Sequence, residues 1–135
     1  MVRLLLSHAR PELARLSAWL DEQERVLAMS ERVAYAVRLC LEEAVANLID
    51  HAPATSDIAV DLGWQGGVMV AAIEDRGPPF DPRMAPVRAG PATLDDAMPG
   101  GLGIVLMRSF ASDIDYQTAS GCNRLTLRFS GVGPD

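Results

Sequence analysis

The sequence predicts a two-layer α/β sandwich in which helices cover one face of a mixed, mainly antiparallel sheet. Its predicted elements follow the order strand, helix, helix, hairpin, loop, helix, hairpin. Adjacent strands joined by short turns must pair antiparallel, which disfavours a doubly wound parallel fold. With 135 residues, 49% of them hydrophobic, and a mean hydropathy of +0.11, residues 1–135 suit a single domain with its own core.

The first half of the chain supplies one strand and two helices. Val2 to Ser7 is predicted as a short strand, and Pro11 opens a helix whose apolar residues recur at three- and four-residue spacing. Ser30 can cap a second helix, which runs from about Glu31 to Asp50 and ends before Pro53.

Two hairpins complete the predicted sheet. Alternating residues from Ile58 to Leu62, a turn at Gln65-Gly66-Gly67 and the buried run Val68 to Ile73 predict the first hairpin. The chain closes with two alternating strands, which we expect to be joined by a turn at Gly121 to Asn123.

The segment between the hairpins differs in composition. Six of the nine prolines lie between Pro78 and Pro99, without apolar periodicity. A loop of about 20 residues inside a compact domain is uncommon and is usually a functional lid or locally disordered. We expect a lid at about residues 81–99, then an apolar helical run to about Phe110, and a frayed tail at 131–135.

Composition excludes several classes of function. A net charge of −6 and a pI near 4.8 repel a phosphate backbone, so direct nucleic-acid binding is not expected. No run approaches the roughly 18 apolar residues of a membrane span. All 12 basic side chains are arginine, so no lysine is available for a Schiff base or a P-loop. Cys40 and Cys122 form no CxxC pair, which favours reduced thiols and a cytoplasmic protein.

The second predicted helix carries the first candidate site. Stepping about 100° per residue places Glu43 and Asn47 together at the edge of its apolar arc and Glu42 on the opposite side. A carboxylate and an amide oxygen there could face a cleft between helix and sheet. The simpler interpretation is that Glu43 and Asn47 only hydrogen-bond across one helical turn.

Two glycine-containing segments are the other candidates. An apolar strand delivers Asp75 into a turn containing Gly77, where a carboxylate can accept a hydrogen bond from an exocyclic amine; an ordinary Asx-turn is the simpler interpretation. The segment Gly100-Gly101-Leu102-Gly103 precedes a helix, where free amides and the helix dipole attract phosphate oxygens; a flexible hinge is the alternative.

Taken together and in this order, the three segments resemble a known family. Glu43-x-x-x-Asn47, Asp75-x-Gly77 and Gly100-Gly101-x-Gly103 are similar to the N box and the two glycine boxes of the GHKL ATPases. The short chain, His51 four residues after Asn47, and the run from Gly100 to Arg108 most resemble the anti-sigma-factor serine kinases of this superfamily. The resemblance extends from about Leu4 to Phe129.

The resemblance implies a Bergerat-type fold that binds ATP with Mg²⁺. By position, Asn47 would ligate Mg²⁺ through its side-chain oxygen, and Asp75 would accept a hydrogen bond from the adenine amine. Gly77 would pack beneath the base. The amides around Gly100, Gly101, Leu102 and Gly103 would hold phosphate, and Glu43 would be the catalytic base.

One residue departs from the family pattern D-x-G-x-G. Pro79 occupies the position of the second glycine, so its nitrogen cannot donate a hydrogen bond and the hinge of the lid should be stiffer. Within the lid, Arg83 and Arg88 are candidate γ-phosphate ligands, with solvated charges as the simpler interpretation.

The resemblance implies a bacterial serine/threonine kinase that acts as an anti-sigma factor. It would phosphorylate an anti-anti-sigma partner of the STAS type, sequester a sigma factor and form a homodimer. Since phosphoryl transfer needs mainly positioning and charge neutralisation, the three segments could supply it. Pro79 motivates an alternative, a nucleotide-sensing module with little or no kinase activity.

Overall fold

The structure is a computed structural model, which describes residues 1–51, 57–79 and 107–130. Its strands and helices agree closely with the sequence prediction, and their bounds are β1 Val2–Leu6, α1 Glu12–Val26, α2 Glu31–His51, β2 Ile58–Gln65, β3 Val68–Asp75, β4 Asp113–Ala119 and β5 Cys122–Phe129. Residues 107–110 are also helical. The predicted lid at 81–99, the segment Gly100 to Gly103 and the tail at 131–135 lie outside the described residues.

The five strands form one sheet in the order β1-β2-β3-β5-β4. All four pairings are antiparallel, so the described sheet is purely antiparallel rather than mixed. The last strand of the chain lies between β3 and β4, because β3 pairs with β5 and β4 forms the edge. The short turns determine which strands pair within each hairpin, but they do not determine how the two hairpins meet.

Helices α1 and α2 pack on one face of the sheet, which confirms the predicted two-layer sandwich. Leu16 and Leu20 of α1 are buried at the predicted spacing. Five residues of the predicted apolar arc of α2 are buried, and the sixth, Leu48, is half-buried against the same core; the five are Val33, Val37, Cys40, Leu41 and Ala44. The sheet residues that share this core are Leu6, Ile58, Val60, Leu62, Met69, Ala71, Ile73, Leu127 and Phe129.

The beginning of each helix follows from local chemistry. Ser30 Oγ accepts a hydrogen bond from the Val33 amide at 3.2 Å, as predicted for an N-cap. Pro11 precedes α1 with φ −57° and makes no side-chain cap. Between the helices, Trp64 of β2 donates its indole N–H to the Leu27 carbonyl at 2.7 Å, which ties the end of α1 to the sheet.

The second hairpin turn differs from the prediction by two residues. Ser120 and Gly121 form the turn, with φ of 54° and 78°, whereas Cys122 and Asn123 already belong to β5. Two successive positive φ angles are typical of the two-residue turn whose twist matches that of antiparallel strands. Asn123 therefore lies in the sheet, directly opposite Asp75.

The face of the sheet away from the helices carries a network of four charged side chains. Asp61 accepts two hydrogen bonds from Arg3, at 2.8 Å each, and one from Arg124 at 3.0 Å. Arg124 also donates to Glu74 at 2.7 Å. Because these hydrogen bonds favour the ionised carboxylate, the pKa of Asp61 lies below its usual value, and that of Arg3 is raised.

Candidate functional site

Consecutive acidic residues at the end of β3 point to opposite faces of the sheet. Glu74 joins the charge network on the face away from the helices, whereas Asp75 shares the side of Ile73, which packs in the core beneath the helices. Successive side chains of a strand alternate between faces, so this separation follows directly from their order. Of the two carboxylates, Asp75 is the one on the helix side of the sheet.

Asp75 is held in a compact turn. Its Oδ2 accepts a hydrogen bond from the Gly77 amide at 2.9 Å, which is the Asx-turn that the sequence offered as the simpler interpretation. This turn does not exclude a role in binding, since a carboxylate has two oxygens that can accept hydrogen bonds. Oδ1 has one neighbour at hydrogen-bonding range in the described chain, the Asn123 amide nitrogen at 3.4 Å.

Asn123 is the residue of this site that the sequence prediction missed. It is 2% exposed and donates to the Gly77 carbonyl at 2.7 Å. The residues Asn123, Leu125, Leu127 and Phe129 alternate along β5, so a polar residue at an inward-facing position was the available signal. Because the sequence predicted Asn123 to lie in the turn, it assigned its side chain to neither face of the sheet.

Glu43 and Asn47 lie one turn apart on α2, as predicted. Both are half-buried and neighbour the buried Leu41 and Ala44. Within the described part of the chain, no hydrogen bond or ion pair engages either side chain. The simpler interpretation, a hydrogen bond between the two, is therefore not what the structure shows.

Glu42 has a different environment from its neighbour Glu43. Its carboxylate accepts a hydrogen bond at 3.2 Å from Arg38, which also donates to Ser17 and pairs with Asp21 on α1. Glu42 therefore belongs to the contact between the two helices instead of being a freely solvated charge. Of the two adjacent glutamates, Glu43 is the one whose carboxylate is not engaged by a described residue.

The described residues bring part of the predicted site together. Asp75 and Gly77 are in contact through a hydrogen bond, and α2, which carries Glu43 and Asn47, packs against β3 and β5. No hydrogen bond joins the α2 pair to Asp75 or Gly77 among these residues. The predicted phosphate-binding residues Gly100 to Gly103 and the lid arginines Arg83 and Arg88 are outside the described ranges.

A concavity of about 310 Å³ adjoins Asp75 on the sheet face away from the helices, and the rest of its lining includes Arg3, Leu5, Glu74 and Cys122. Arg3 is already paired with both Glu74 and Asp61. A ligand that entered this concavity would therefore have to compete with these ion pairs.

The fold agrees with the comparisons to known proteins. Residues 5–129 match the histidine kinase-like ATPase domain family, and the chain belongs to this family. It therefore has an ATP-binding, kinase-like role, as the resemblance in the sequence implied.

The proteins similar to the chain include a kinase and a solved histidine kinase structure. It is 35% identical over 114 residues to the serine/threonine-protein kinase BtrW of Bordetella bronchiseptica, covering 81% of this chain and 79% of that protein. Its fold resembles that of the Acinetobacter baumannii histidine kinase AdeS, with a TM-score of 0.50 and 15% identity, over 96% of this chain and 68% of that chain. Among the described residues, no helix is long and apolar enough to cross a membrane.

Proposed function

We propose that this protein is a serine/threonine kinase that uses ATP and Mg²⁺ and acts as an anti-sigma factor. It would phosphorylate a STAS-type anti-anti-sigma partner and sequester a sigma factor. Two observations support the kinase activity: the similarity to a serine/threonine-protein kinase over four-fifths of the chain, and the carboxylate of Glu43, which no described residue engages. The anti-sigma role is supported by the run from Gly100 to Arg108, which resembles that of the anti-sigma-factor kinases.

Glu43 is assigned the catalytic role on chemical grounds. In the transfer, the hydroxyl oxygen of the partner's serine or threonine bonds to the γ-phosphorus as the bond from that phosphorus to ADP breaks. The hydroxyl proton must leave, and a carboxylate without another partner can accept it. Such a positioned base contributes roughly 10²- to 10⁴-fold in rate.

The side-chain oxygen of Asn47 is a suitable ligand for Mg²⁺. Its half-buried side chain carries an amide oxygen, which suits a hard cation, and no described residue uses it. One protein ligand is enough for a Mg²⁺ ion that is otherwise held by substrate phosphates and water. When bound, Mg²⁺ would neutralise charge on the phosphates.

The decisive experiment compares Glu43→Gln with Glu42→Gln. Purified protein would be incubated with radiolabelled ATP, Mg²⁺ and candidate STAS-domain partners, and ATP affinity would be measured by calorimetry. We expect Glu43→Gln to lower phosphate transfer by roughly 10²- to 10⁴-fold without weakening ATP binding. Glu42→Gln is the matched control, because it removes the same charge one residue away and should keep transfer near the wild-type rate.

The outcomes also separate the two candidate functions. Unchanged transfer by Glu43→Gln would show that another group is the base. If the wild type binds ATP but phosphorylates no STAS-domain partner, the nucleotide-sensing module is the better description. Pro79 favours that alternative, since it leaves no backbone N–H donor at the hinge position where the family pattern has glycine. Co-purification with sigma factors, in ATP and in ADP, would test the proposed sequestration.

A further inference from the structure

A buried polar side chain lies behind the candidate adenine-binding carboxylate without a role in the proposed transfer. Asn123 is 2% exposed, and it occupies an inward-facing position on β5 directly opposite Asp75. Burying an amide costs free energy unless its hydrogen bonds are replaced. The contacts of Asn123 therefore indicate what the residue contributes.

The amide nitrogen of Asn123 contacts both ends of the turn that follows β3. It donates to the Gly77 carbonyl at 2.7 Å and lies 3.4 and 3.5 Å from the two carboxylate oxygens of Asp75. All three neighbours are hydrogen-bond acceptors. The opposite amide orientation would place the Asn123 oxygen against these acceptors, so the chemistry of the turn selects the orientation observed.

These contacts leave the two carboxylate oxygens of Asp75 unequal. Oδ2 accepts the Gly77 amide at 2.9 Å, and Asn123 holds the Gly77 carbonyl on the other side of the same turn. Oδ1 has only the long contact to Asn123, which is weaker than a well-formed hydrogen bond. Oδ1 is therefore the oxygen that remains available for a strong hydrogen bond to a ligand.

We propose that Asn123 is a positioning residue that gives the site its preference for adenine. Asn123 fixes the Asp75 carboxylate relative to the Gly77 turn, and it thereby keeps Oδ1 of Asp75 directed at the exocyclic amine of the base. A base with a carbonyl at that position, such as hypoxanthine, places an acceptor against Oδ1 and is rejected. This inference rests on the proposed function, because it assumes that ATP binds at Asp75.

The test compares ATP with ITP, whose bases differ in that amine. Dissociation constants for both nucleotides with Mg²⁺ would be measured by calorimetry for the wild type and for Asn123→Leu, which keeps the side-chain shape but cannot donate. Hydrogen bonds to charged groups contribute roughly 1.5–3 kcal/mol, so we expect the wild type to prefer ATP by about 10- to 100-fold. In Asn123→Leu, ATP affinity and this preference should fall about tenfold, with ITP affinity nearly unchanged.

Two controls separate positioning from a general loss of structure. Thr126→Val removes a polar group from the same strand, on the face away from the helices, and should leave the ATP preference intact. Hydrogen exchange of the Gly77 amide, measured by NMR without nucleotide, should become faster in Asn123→Leu because its bond to Asp75 is no longer held. If Asn123→Leu does not fold, the smaller Asn123→Ala variant, which also lacks the donor, gives the same readouts.

The possible results distinguish this inference from the proposed function. An unchanged ATP preference in a folded Asn123 variant would overturn the inference while leaving ATP binding in place. A parallel loss of ATP and ITP affinity would also overturn it, because a purely structural role affects both nucleotides equally. If the wild type binds neither nucleotide, the proposed function fails, and the inference fails with it.

Discussion

At the scale of single residues, the charge on the sheet face away from the helices is organised around Asp61. Asp61 is 7% exposed, and its carboxylate accepts hydrogen bonds from Arg3 on the adjacent β1 and from Arg124 on β5, two strands away on the other side. A carboxylate in such a position is stabilised only while both the charge and its partners are present. Asp61 should therefore contribute to stability in a pH-dependent way.

We predict that Asp61→Asn lowers the free energy of unfolding by about 2 kcal/mol at neutral pH, the usual contribution of hydrogen bonds to charged groups. The Arg3 hydrogen bond lowers the pKa of Asp61 below its ordinary value of 3.8. Its stabilising effect is therefore complete above 3.8 and is lost as the pH falls through the lower pKa of the folded state. Urea unfolding of both proteins at several pH values measures this difference.

Glu22→Gln is the matched control for Asp61→Asn, because Glu22 is an exposed residue of α1 and its substitution also removes one negative charge. This variant should change stability by less than about 0.5 kcal/mol. A difference between wild type and Asp61→Asn that persists undiminished in acid would show that packing, and not the ion pairs, explains the effect.

At the scale of elements, the two tight turns determine which strands pair in each hairpin. Gly66 and Gly67 have φ of 57° and 78°, and Ser120 and Gly121 have nearly the same pair of angles. Positive φ is strained for most side chains but tolerated by glycine and asparagine. The second turn therefore carries strain at Ser120 that the first turn avoids.

We predict that Ser120→Asn raises the free energy of unfolding by about 0.5 kcal/mol, since Asn-Gly is the preferred sequence for this turn. Gly121→Ala should instead lower it by roughly 1–2 kcal/mol, the cost of a side chain in the left-handed region. Space is not the limit there, because no atom lies within 4 Å of an added Cβ. Thermal unfolding of the two variants would contradict this interpretation if both shifted in the same direction.

Polar side-chain contacts, in addition to the hydrophobic core, hold α1 and α2 together. Arg38 of α2 donates to the Ser17 hydroxyl and to Glu42 and pairs with Asp21. At the other end of α2, Arg10 makes two hydrogen bonds to Asp50, at 2.6 and 2.7 Å. These contacts hold α2, which carries Glu43 and Asn47, against α1 and the turn that precedes it.

At the scale of the whole molecule, ligand binding and folding are linked. A nucleotide that binds only the folded chain stabilises it by mass action, so ATP at about 100 times its dissociation constant should add roughly 2.7 kcal/mol to the free energy of unfolding. We predict a rise of several degrees in the melting temperature with ATP and Mg²⁺, and a smaller rise with ITP. A melting temperature that millimolar ATP leaves unchanged would contradict the assigned site.

Cys40 offers an independent measure of the same linkage. The Cys40 thiol is fully buried in the core, and burial raises its pKa to about 12. Because only the thiolate reacts, its alkylation reports opening of the core. Cys122 is only half-buried and provides the internal reference. ATP with Mg²⁺ should slow the alkylation of Cys40. The free energy calculated from this decrease in rate should equal the amount that ATP adds to the free energy of unfolding.

The sequence by itself determined the elements and the family. Periodicity, the caps and the glycine turns placed both helices, both hairpins and the edge position of Glu43 and Asn47, because each of these signals is local along the chain. The ordered segments around Asn47, Asp75 and Gly100 were sufficient to identify the superfamily.

Only the tertiary structure decided which distant residues meet. The position of β5 between β3 and β4 brings Asn123 against Asp75, and it also brings Arg124 to Asp61 and Glu74. These pairs are separated by 48 to 63 residues in sequence. No periodicity along one chain specifies such contacts, because the sheet order follows from how two hairpins bury their apolar faces beneath the same helices.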